Sequence, residues 1–599
     1  MKTAEQVILN LQAHDIHLWV KEGKLRFRAP KDALTDTLRR EIAESRAEIL
    51  ALLTQSATQA QPHQAIQPAS RPERLPLSFA QQRLWFLNEF GSGAAYNMPM
   101  ALEMTGKLNI AALQQTLSEI VRRHESLRTT FGTAEGTPYQ LIQPAQPFAL
   151  PVVDLRTLAA DAQRAEVQRL GERDAEQPFD LTQDCMLRGQ LLQLAEERFV
   201  LLLTMHHIAA DGWSMGVLVR EWNALYAAFS QGQPSPLPAL ALQYADFALW
   251  QRDYLQGDVL AQQTAYWKHQ LAGAPELLQL PTDRPRTPQQ SFRGATVTVT
   301  ITSALTQQLR RLSQTQGATL YMTLLAAFQI LLARTSGQQD IVVASPIANR
   351  HRQELEPLIG FFVNTLALRG DLSADPSFLA FLEQVKATTQ AAYDHQDLPF
   401  ERLVEELNLQ RTLNHNPLVQ VMFALQNTAL GQWVLPGLQV KLVDVETQTT
   451  RFDLEVHCWE QEDALQISAI YNVALFEQAT IQRMMGHFQS LLAAIVAQPQ
   501  SSIGELPLLT PAERRQLLIE WNNTATAYAQ DKLIHQLFEE QAERTPGAIA
   551  VVMAEEQRAE EQKAEGRGQR AEGRGQRAEG RQVPISGLQS LTYQELNER

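Results

Sequence analysis

The sequence predicts a multi-domain protein of the α/β (α+β) class, and three observations support this prediction. Its 599 residues exceed what one hydrophobic core ordinarily holds, so about three or four folding units are expected. Helix-like and strand-like segments are mixed throughout residues 75–500. The apolar run Arg198–Thr204 predicts a buried strand, and apolar residues at helical spacing follow it from Met215 to Phe229, so this region should be strand, connection and helix.

Composition and charge exclude several classes of protein. The net charge of −14 argues against general nucleic-acid binding, which needs a basic surface. No window approaches the uninterrupted apolar stretch of about 18 residues that a membrane helix needs, and the polar N-terminus is not a signal peptide. The two cysteines, Cys185 and Cys458, suit a reducing compartment and cannot form a four-cysteine zinc site. We therefore expect a cytoplasmic protein with no bound metal, no nucleic-acid partner and no membrane partner.

The N-terminal part of the chain predicts a small separate unit over residues 1–54. Its two short strand-like segments, IHLWV and LRFRA, are joined across KEGK, which is a hairpin signal, and amphipathic helical segments flank them. The following residues 55–74 are rich in Gln, Ala and Pro, which predicts a linker.

The C-terminal part predicts a second linker over residues 501–532 and a new helix–loop–strand pattern over 533–599. A seven-residue repeat, AEGRGQR, interrupts this pattern at 564–570 and 571–577 and begins again at 578. The repeat has no apolar residue larger than Ala, so it cannot bury a core or form a coiled coil. We expect a disordered insert over about residues 554–586.

The stretch MHHIAADGWS (Met205–Ser214) carries the clearest chemical signal, and three interpretations of it remain open. His206 and His207 can be structural, satisfied by neighbouring carbonyls. A metal site of both histidines and Asp211 is disfavoured because adjacent residues at a strand end point to opposite sides. In the third interpretation, one histidine faces a cleft as a base or hydrogen-bonding partner, a role that its pKa near 6.5 suits, while Asp211 caps the helix and Gly212 permits a tight turn.

A set of further motifs lies in order along the chain on both sides of this stretch. A chance occurrence of the His–His–Asp–Gly pattern does not explain the whole set. The motifs are LSFAQQRLWFL (Leu77–Leu87), RRHESLRTTF (Arg122–Phe131), YADFALWQ (Tyr244–Gln251), IGFFVNTLALR (Ile359–Arg369), HQDLPFERLVEEL (His395–Leu407) and RTLNHNPLVQVMF (Arg411–Phe423). Together with HHIAADG they closely resemble the core motifs of condensation domains of nonribosomal peptide synthetases, over about residues 75–510.

The resemblance implies an architecture. Condensation domains have two chloramphenicol-acetyltransferase-like lobes forming a V with a central tunnel, here expected over residues 75–250 and 251–500. Residues 1–54 resemble a small N-terminal docking domain of ααββαα type. Residues 533–599, with LTYQELN, look like the truncated start of an adenylation domain.

The resemblance also implies a function and its residues. Such domains join a donor acyl or peptidyl thioester to the α-amine of an acceptor aminoacyl thioester, forming an amide bond. By analogy His207 is the active-site histidine, acting as a base or as a hydrogen-bonding partner, and His206 points into the fold. Asp211 is structural and is held by an arginine, for which Arg350 and Arg83 are the candidates. Gly212 keeps a backbone position near the reacting centre.

Other motif residues divide between function and packing. Arg128 is either functional or part of a lobe-stabilising ion pair, and Asn364 and Thr365 are candidates for the tunnel wall. The residues expected to be structural are Leu84, Trp85 and Phe86 in the core, Phe361 and Phe362 behind the tunnel wall, and His395 and Asp397 at a capped helix start.

The resemblance implies carrier proteins as partners and no cofactor bound by this chain. Both substrates are carried on phosphopantetheine arms, one on an upstream donor carrier protein recruited through the docking domain and one on a downstream acceptor carrier domain. The predicted hairpin is basic at Lys21, Lys24, Arg26 and Arg28. A basic hairpin with an open edge favours an extended acidic segment, so we expect the acidic C-terminal tail of an upstream synthetase to bind there.

Three alternative functions stay open at this point. A different acyltransferase of the same fold would use coenzyme A or a free amine, and an epimerase would share the histidine motif. An inactive scaffold would only recruit carrier proteins, although the intact HHIAADG motif argues against lost activity.

Overall fold

The structure is a computed structural model that describes residues 17–21, 24–28, 50, 66–89, 91, 93–409, 412, 414–426, 432–443, 449–461, 463–527, 531–554 and 588–599. The chain divides into two compact units, Met1–Pro511 and Ala512–Arg599. The predicted helices of the docking unit and the seven-residue repeats lie outside the described residues.

The strands and helices follow the predicted mixed pattern. The strands are β1 (His17–Lys21), β2 (Lys24–Arg28), β3 (Leu75–Pro76), β4 (Asn97–Gly106), β5 (Thr129–Ala134), β6 (Thr137–Ile142), β7 (Val152–Asp154), β8 (Leu187–Ala195), β9 (Arg198–His206), β10 (Gly294–Ile301), β11 (Asp340–Ile347), β12 (Asn364–Asp371), β13 (Val421–Gln426), β14 (Leu438–Val443), β15 (Leu454–Gln461), β16 (Ala464–Asn472), β17 (Ile549–Ala554) and β18 (Leu588–Thr592). The α-helices are α1 (Phe79–Glu89), α2 (Ile110–Arg123), α3 (Ala160–Glu176), α4 (Gly212–Phe229), α5 (Tyr244–Tyr254), α6 (Gly257–Gln270), α7 (Ser303–Thr315), α8 (Leu320–Ser336), α9 (Phe378–Asp394), α10 (Phe400–Glu406), α11 (Gln478–Ala497), α12 (Pro511–Arg515), α13 (Ile534–Arg544) and α14 (Tyr593–Glu598).

The first lobe is built on a five-stranded sheet in the order β14-β4-β9-β8-β7. Strand β9 lies in the middle, and all its residues after Arg198 are buried, as expected for a strand covered on both faces. Helix α2 presents a buried stripe that includes Leu113, Leu117 and Ile120, the spacing of one helix face. The Asn109 side chain caps this helix by accepting a hydrogen bond from Ala112 N.

The second lobe is built on a six-stranded sheet in the order β10-β16-β15-β13-β11-β12. Its central helix α8 is buried continuously from Met322 to Leu332, because apolar residues occupy most of its circumference. Thr319 caps the start of α8, and Gly337, with φ +74°, ends it in the left-handed conformation that glycine adopts without strain.

The lobes are not two contiguous stretches of chain. Strand β14 lies within the range predicted for the second lobe, but it pairs antiparallel with β4 of the first lobe, with Leu438 opposite Gly106 and Val443 opposite Ala101. The second half of the chain thus supplies an edge strand to the first sheet. Hydrophobic periodicity identifies a strand but not its partner, so the sequence did not show that β14 belongs to the sheet of the first lobe.

The second unit contains a helix, a two-stranded antiparallel sheet and a short helix: α13, β17 paired with β18, and α14. Thr592 and Glu595 form a capping box at the start of α14. The helix-then-strand order agrees with the sequence pattern, whereas the assignment of this unit to an adenylation domain stays a prediction.

Among the described residues, no single helix has both the length and the apolar character to cross a membrane. One helix pair, α7 with α8, passes the same criterion jointly by length and composition, although it is bent by 105°. Those residues also contain no cluster of His, Cys, Asp and Glu that is able to hold a metal ion.

Candidate active site at the HHIAADG turn

The histidine stretch forms the predicted strand, connection and helix. Strand β9 ends at His206, and α4 begins at Gly212. Asp211 is the N-cap of α4, and its Oδ1 accepts hydrogen bonds from Ser214 N (2.9 Å) and Ser214 Oγ (2.8 Å). The connection between strand and helix is therefore held at both ends, which fixes the backbone that carries His207.

His206 lies inside the first lobe. It is buried, its Nδ1 accepts a hydrogen bond from Ile208 N (3.1 Å), and its ring meets the edge of Phe179 with centroids 5.7 Å apart. Burial lowers the pKa of His206 to about 3, assisted by His207 and the Arg188 cation. A neutral ring inside the first lobe follows, with no role as a proton carrier at neutral pH.

His207 has a defined tautomer. Its backbone N–H donates to Tyr96 O (2.8 Å), and its Nδ1 lies 2.9 Å from Ala210 O. A carbonyl oxygen only accepts hydrogen bonds, so Nδ1 carries the proton and Nε2 carries the lone pair. Within the described residues no hydrogen bond engages Nε2, and the ring packs edge-on against Phe361 with centroids 5.1 Å apart. Nε2 is thus the atom available to accept a proton or a hydrogen bond.

The surroundings of His207 keep its ring neutral. Burial is the largest cause, the Arg451 cation is the second, and together they lower the pKa of His207 to about 4 despite the opposing effects of Asp211 and the Ala210 carbonyl. At neutral pH the residue is therefore a neutral hydrogen-bond acceptor and a weak base.

Arg350 is the arginine that holds Asp211. Its Nη2 lies 3.0 Å from Asp211 Oδ1, and both side chains are almost completely buried. The same Nη2 contacts Ser214 Oγ (3.0 Å), and Nη1 donates to Leu355 O (2.8 Å) and Leu358 O (2.6 Å). Burial lowers the pKa of Arg350, and Asp211 opposes this effect. The pair is one buried ionic network rather than a surface salt bridge.

A loop of the second lobe locks the histidine turn from outside the first lobe. We call residues 348–363, between β11 and β12, the clamp loop. Within it, Phe362 N donates to Asp211 Oδ2 (3.0 Å), and Gly360 N donates to Ser214 Oγ (3.1 Å). A Cβ on Gly360 would lie 2.1 Å from the Tyr244 ring, so only glycine allows this close approach. Both lobes therefore contribute to the position of His207.

Arg83, the other candidate partner for Asp211, has a different role. It pairs with Glu401 of the second lobe at 3.3 Å, and its guanidinium lies over the Phe400 ring at 5.4 Å. The pair connects α1 with α10, so Arg83 contributes to the contact between the lobes rather than to the Asp211 network.

Gly212 and Arg128 both lie in the first lobe. The φ of Gly212 is not in the left-handed region, and a Cβ there would meet no atom within 4 Å, so the turn itself does not require glycine. Arg128 donates to Gln143 O (2.5 Å) and lies 3.8 Å from Glu125, which favours the structural alternative within the first lobe.

The Asn364 side chain supports the start of a helix. Its Nδ2 donates to Gln396 O (2.9 Å) and Leu398 O (2.8 Å), and its Oδ1 accepts from Phe400 N (3.0 Å). Both ends of its amide are thus engaged by backbone groups, and its place in the tunnel wall stays a prediction.

The helix that follows HQDLPF is capped by a distant residue. Its N-cap, Pro399, makes no side-chain cap bond, and Asn364 satisfies Phe400 N instead. His395 stacks on Tyr266 with centroids 3.9 Å apart, and Asp397 accepts from Tyr254 OH (3.1 Å). Both are structural, as expected, but neither caps the helix.

The aromatic residues of the motifs are divided between core and surface. Leu84 and Phe362 are buried, whereas Trp85, Phe361 and Thr365 are half-buried. Phe86 is 42% exposed, so its assignment to the core is wrong. It follows Leu84 by two positions, which on a helix places it on a different face.

A charged group of the second lobe near His207 has almost no signal in the sequence. Arg451 pairs with Glu455 (3.1 Å), which is almost fully buried. Burial raises the pKa of Glu455, but Arg451 and His457 outweigh this effect and hold it below the ordinary value, while Glu455 raises the pKa of Arg451. The only sequence signal was a pair of opposite charges in RFDLE, at the start of β15.

The predicted hairpin is formed by β1 and β2, which are antiparallel with Lys21 opposite Lys24, Trp19 opposite Arg26 and His17 opposite Arg28. Because residues alternate between the faces of a strand and paired positions share a face, this register assigns all four predicted basic residues to one face. That face holds Lys21, Lys24, Arg26 and Arg28.

Two α/β lobes thus hold a neutral histidine that offers one free ring nitrogen as a hydrogen-bond acceptor, as a two-lobed acyltransferase requires. Family profiles then identify the family. The condensation domain family matches residues 72–518, and the TubC N-terminal docking domain family matches residues 5–55. The chain belongs to the condensation domain family, whose members in nonribosomal peptide synthetases form amide bonds and need no bound cofactor of their own.

Relatives among known synthetases support this assignment. The chain is 48% identical over 509 residues to a linear gramicidin synthase of Brevibacillus parabrevis, which is 84% of this chain and 10% of that protein. It is 48% identical over 491 residues to chondramide synthase of Chondromyces crocatus, which is 82% of this chain and 12% of that protein. The chain thus spans only about a tenth of the length of these relatives.

Solved structures show the same fold. The X-domain from teicoplanin biosynthesis is 31% identical with a TM-score of 0.70, and the match covers 74% of this chain and 100% of that one. The first condensation domain of the calcium-dependent antibiotic synthetase, in complex with a substrate analogue, is 23% identical with a TM-score of 0.62, and the match covers 74% of this chain and 100% of that one. At 23% identity the second likeness concerns the fold alone.

Proposed function

We propose that this chain joins a donor acyl or peptidyl thioester to the α-amine of an acceptor aminoacyl thioester, with both substrates on phosphopantetheine arms of carrier proteins. The amine nitrogen attacks the thioester carbon, a C–N bond forms, the C–S bond breaks, and the donor arm leaves as a thiolate that takes up a proton. The observation that carries this proposal is the free Nε2 of neutral His207, held where both lobes meet.

The electrostatics argue against His207 as the base that deprotonates the free acceptor ammonium. An α-ammonium has a pKa of roughly 7.7–8.0, about 4 units above that of His207, so full deprotonation of the ammonium by His207 would be uphill by about 5 kcal/mol. Nε2 instead accepts a hydrogen bond from the neutral amine and takes its proton as the C–N bond forms. The attacking nitrogen becomes acidic only at that stage, so the weak base is sufficient.

A single-turnover assay by mass spectrometry tests the proposal. Donor and acceptor carrier proteins loaded with simple aminoacyl groups are mixed with the chain, with His207→Ala and with His269→Ala, which changes an exposed histidine on α6. We expect dipeptide on the acceptor carrier with the unmodified chain and with His269→Ala, and a loss of about 10²–10⁴-fold with His207→Ala. Dipeptide formed equally well by His207→Ala would refute the role of the histidine.

We infer further that the docking unit recruits an upstream donor carrier protein in the cytoplasm, while a downstream carrier domain presents the acceptor. The basic face of the β1–β2 hairpin favours an acidic C-terminal tail as the bound segment. The charge reversals Lys24→Glu and Arg26→Glu should weaken transfer from a separate upstream protein. They should not change transfer from a free carrier protein that is supplied in excess. Unchanged transfer after removal of residues 1–54 would exclude this role.

We also propose that residues 75–250 and 251–500 correspond to the two lobes apart from β14, that 501–532 link them to residues 533–599, and that this last part begins an adenylation domain.

A recruiting scaffold is the second candidate function. It is favoured by the 31% identity to the X-domain from teicoplanin biosynthesis, a domain that also occurs in a complex with OxyB. The same assay separates the two functions, since a scaffold binds loaded carriers but yields no dipeptide from any donor and acceptor pair.

A further inference from the structure

The segment just ahead of the first lobe is packed into the domain, although its composition predicted a linker. Ile66 is 4% exposed and belongs to a hydrophobic cluster. The other buried members of this cluster are Leu242, Tyr244, Phe247, Leu355, Leu358 and Phe362. The backbone N–H of Ile66 also donates to Glu354 Oε1 at 3.1 Å. An isoleucine in a Gln- and Pro-rich stretch is thus an anchor point.

Two further contacts hold the chain after Ile66. The Arg71 guanidinium lies 2.8 Å from Glu125 and 3.6 Å from Asp246, so it bridges the second and fourth motifs of the condensation domain. The segment then enters β3, where Leu75 pairs with Gln140 of β6. We call residues 66–74 the strap. The condensation domain profile begins at residue 72, so Ile66 and Arg71 lie outside it.

The cluster that receives Ile66 is also the support of the Asp211 network. The carbonyl oxygens of Leu355 and Leu358 accept both hydrogen bonds of Arg350 Nη1. Phe362 donates its N–H to Asp211 and carries its ring 4.1 Å from the Arg350 guanidinium. The side chains of these three clamp-loop residues belong to the same hydrophobic cluster as Ile66, while their backbones hold the arginine and the aspartate. A change in the packing around Ile66 therefore affects the position of His207 through the clamp loop.

We propose that Ile66 is a positioning residue for the condensation site and that the strap joins the docking unit to that site. This inference rests on the proposed condensation activity. Removing the side chain leaves a gap beneath the clamp loop, and interiors at crystal-like density transmit such a defect to their neighbours. A displacement of about 1 Å at a catalytic group costs about 10²-fold in rate, so a small loosening of the clamp loop is sufficient to slow the reaction.

The strap also limits where the docking unit can be. The docking match ends at residue 55, and Ile66 lies 11 positions further along the chain. A fully extended chain of that length spans at most about 40 Å, against about 70 Å if the chain were held only from residue 75. A partner bound to the docking unit is thereby kept near the clamp loop, which raises its effective concentration at the condensation domain.

The test uses the full chain with Ile66→Ala, Ile66→Leu and the control Ile519→Ala, which shortens an isoleucine that is 64% exposed. Steady-state rates are measured over a range of concentrations of carriers that lack docking segments, so recruitment plays no part. We expect Ile66→Ala to slow amide formation about 10- to 100-fold with an unchanged KM for both carriers and an unchanged circular dichroism spectrum. Ile66→Leu should recover most of the rate, and Ile519→Ala should match the unmodified chain.

A second readout is independent of activity. Hydrogen exchange of the peptide containing Gly360 and Phe362, whose amides donate to Ser214 and Asp211, should accelerate in Ile66→Ala and not in the control. Absence of amide from the unmodified chain would refute the proposed function, and this exchange result would then decide the positioning role by itself. An unchanged rate and unchanged exchange in a folded Ile66→Ala protein would overturn the inference. If that variant fails to fold, Ile66→Val, which removes one methylene, is judged by the same two criteria.

Discussion

Replacing Arg350 with alanine removes the cation that neutralises the buried Asp211. The perturbation is large because the guanidinium also satisfies the carbonyl oxygens of Leu355 and Leu358, and because the side chains of Arg350 and Asp211 are 1% and 0% exposed. Breaking a buried ion pair by removing one partner costs about 3–5 kcal/mol. A domain is stable by only about 5–15 kcal/mol, so Arg350→Ala should remove a major part of the stability.

Arg83→Ala is the matched control, since Arg83 was the other candidate partner of Asp211. Its pair with Glu401 is 27% and 20% exposed, and such partly solvated pairs contribute about 0.2–1 kcal/mol. Urea unfolding followed by tryptophan fluorescence compares the two variants, with Trp213, which donates to Glu356 O in the clamp loop, as a reporter beside the site.

A double-mutant cycle isolates the interaction itself. Arg350→Met, Asp211→Asn and the combined variant should show a coupling energy of about 2 kcal/mol or more, because the second substitution no longer leaves a buried charge alone. Equal destabilisation by Arg350→Ala and Arg83→Ala, or a coupling near zero, would show that the Asp211–Arg350 pair does not hold the histidine turn.

Three other predictions concern pH, space and capping. His207 has a pKa of about 4 in the folded protein, against about 6.5 when unfolded. Between these pH values the unfolded state binds more protons, so the stability of the fold falls as pH decreases from 6.5 to 4. His206, with a pKa of about 3, acts in the same direction. The condensation rate should accordingly follow the neutral fraction of the acceptor amine, with an inflection at about pH 7.7–8.0, no inflection near 6.5 and a further loss towards pH 4. A histidine inflection near 6.5 in a pH–rate series would contradict the described burial. Gly212→Leu should leave the unfolding free energy within about 1 kcal/mol of that of the unmodified chain, because an added Cβ meets open space. The variant should nevertheless abolish dipeptide formation by filling space beside the histidine turn. A wild-type rate would show that the substrate does not use this space. Asn364→Ala leaves Phe400 N and two carbonyls without their partner and should lower the unfolding free energy by about 2 kcal/mol; a change below about 0.5 kcal/mol in urea titrations would exclude the capping role.

Local structure at the site followed from the sequence because the groups that determine it are close together in the chain. Strand β9, the turn and helix α4 depend on apolar periodicity and on Asp211 capping a residue three positions away. The opposite orientations of His206 and His207 follow from the alternation of a strand, and the β1–β2 hairpin follows from its turn signal. Motif order identified the family for the same reason, since a motif needs only neighbouring residues.

Only the tertiary structure decided which distant groups meet. Arg350 and Arg83 were equal candidates until the clamp loop placed Arg350 on Asp211, 139 positions away. Arg451 lowers the pKa of His207 from the other half of the chain, and Asn364 caps a helix 36 positions further on. The pairing of β14 with the sheet of the first lobe and the burial of Ile66 in a linker-like segment could not be predicted for the same physical reason. Periodicity shows that a residue prefers burial, but the partner that buries it is chosen by the packing of the whole domain.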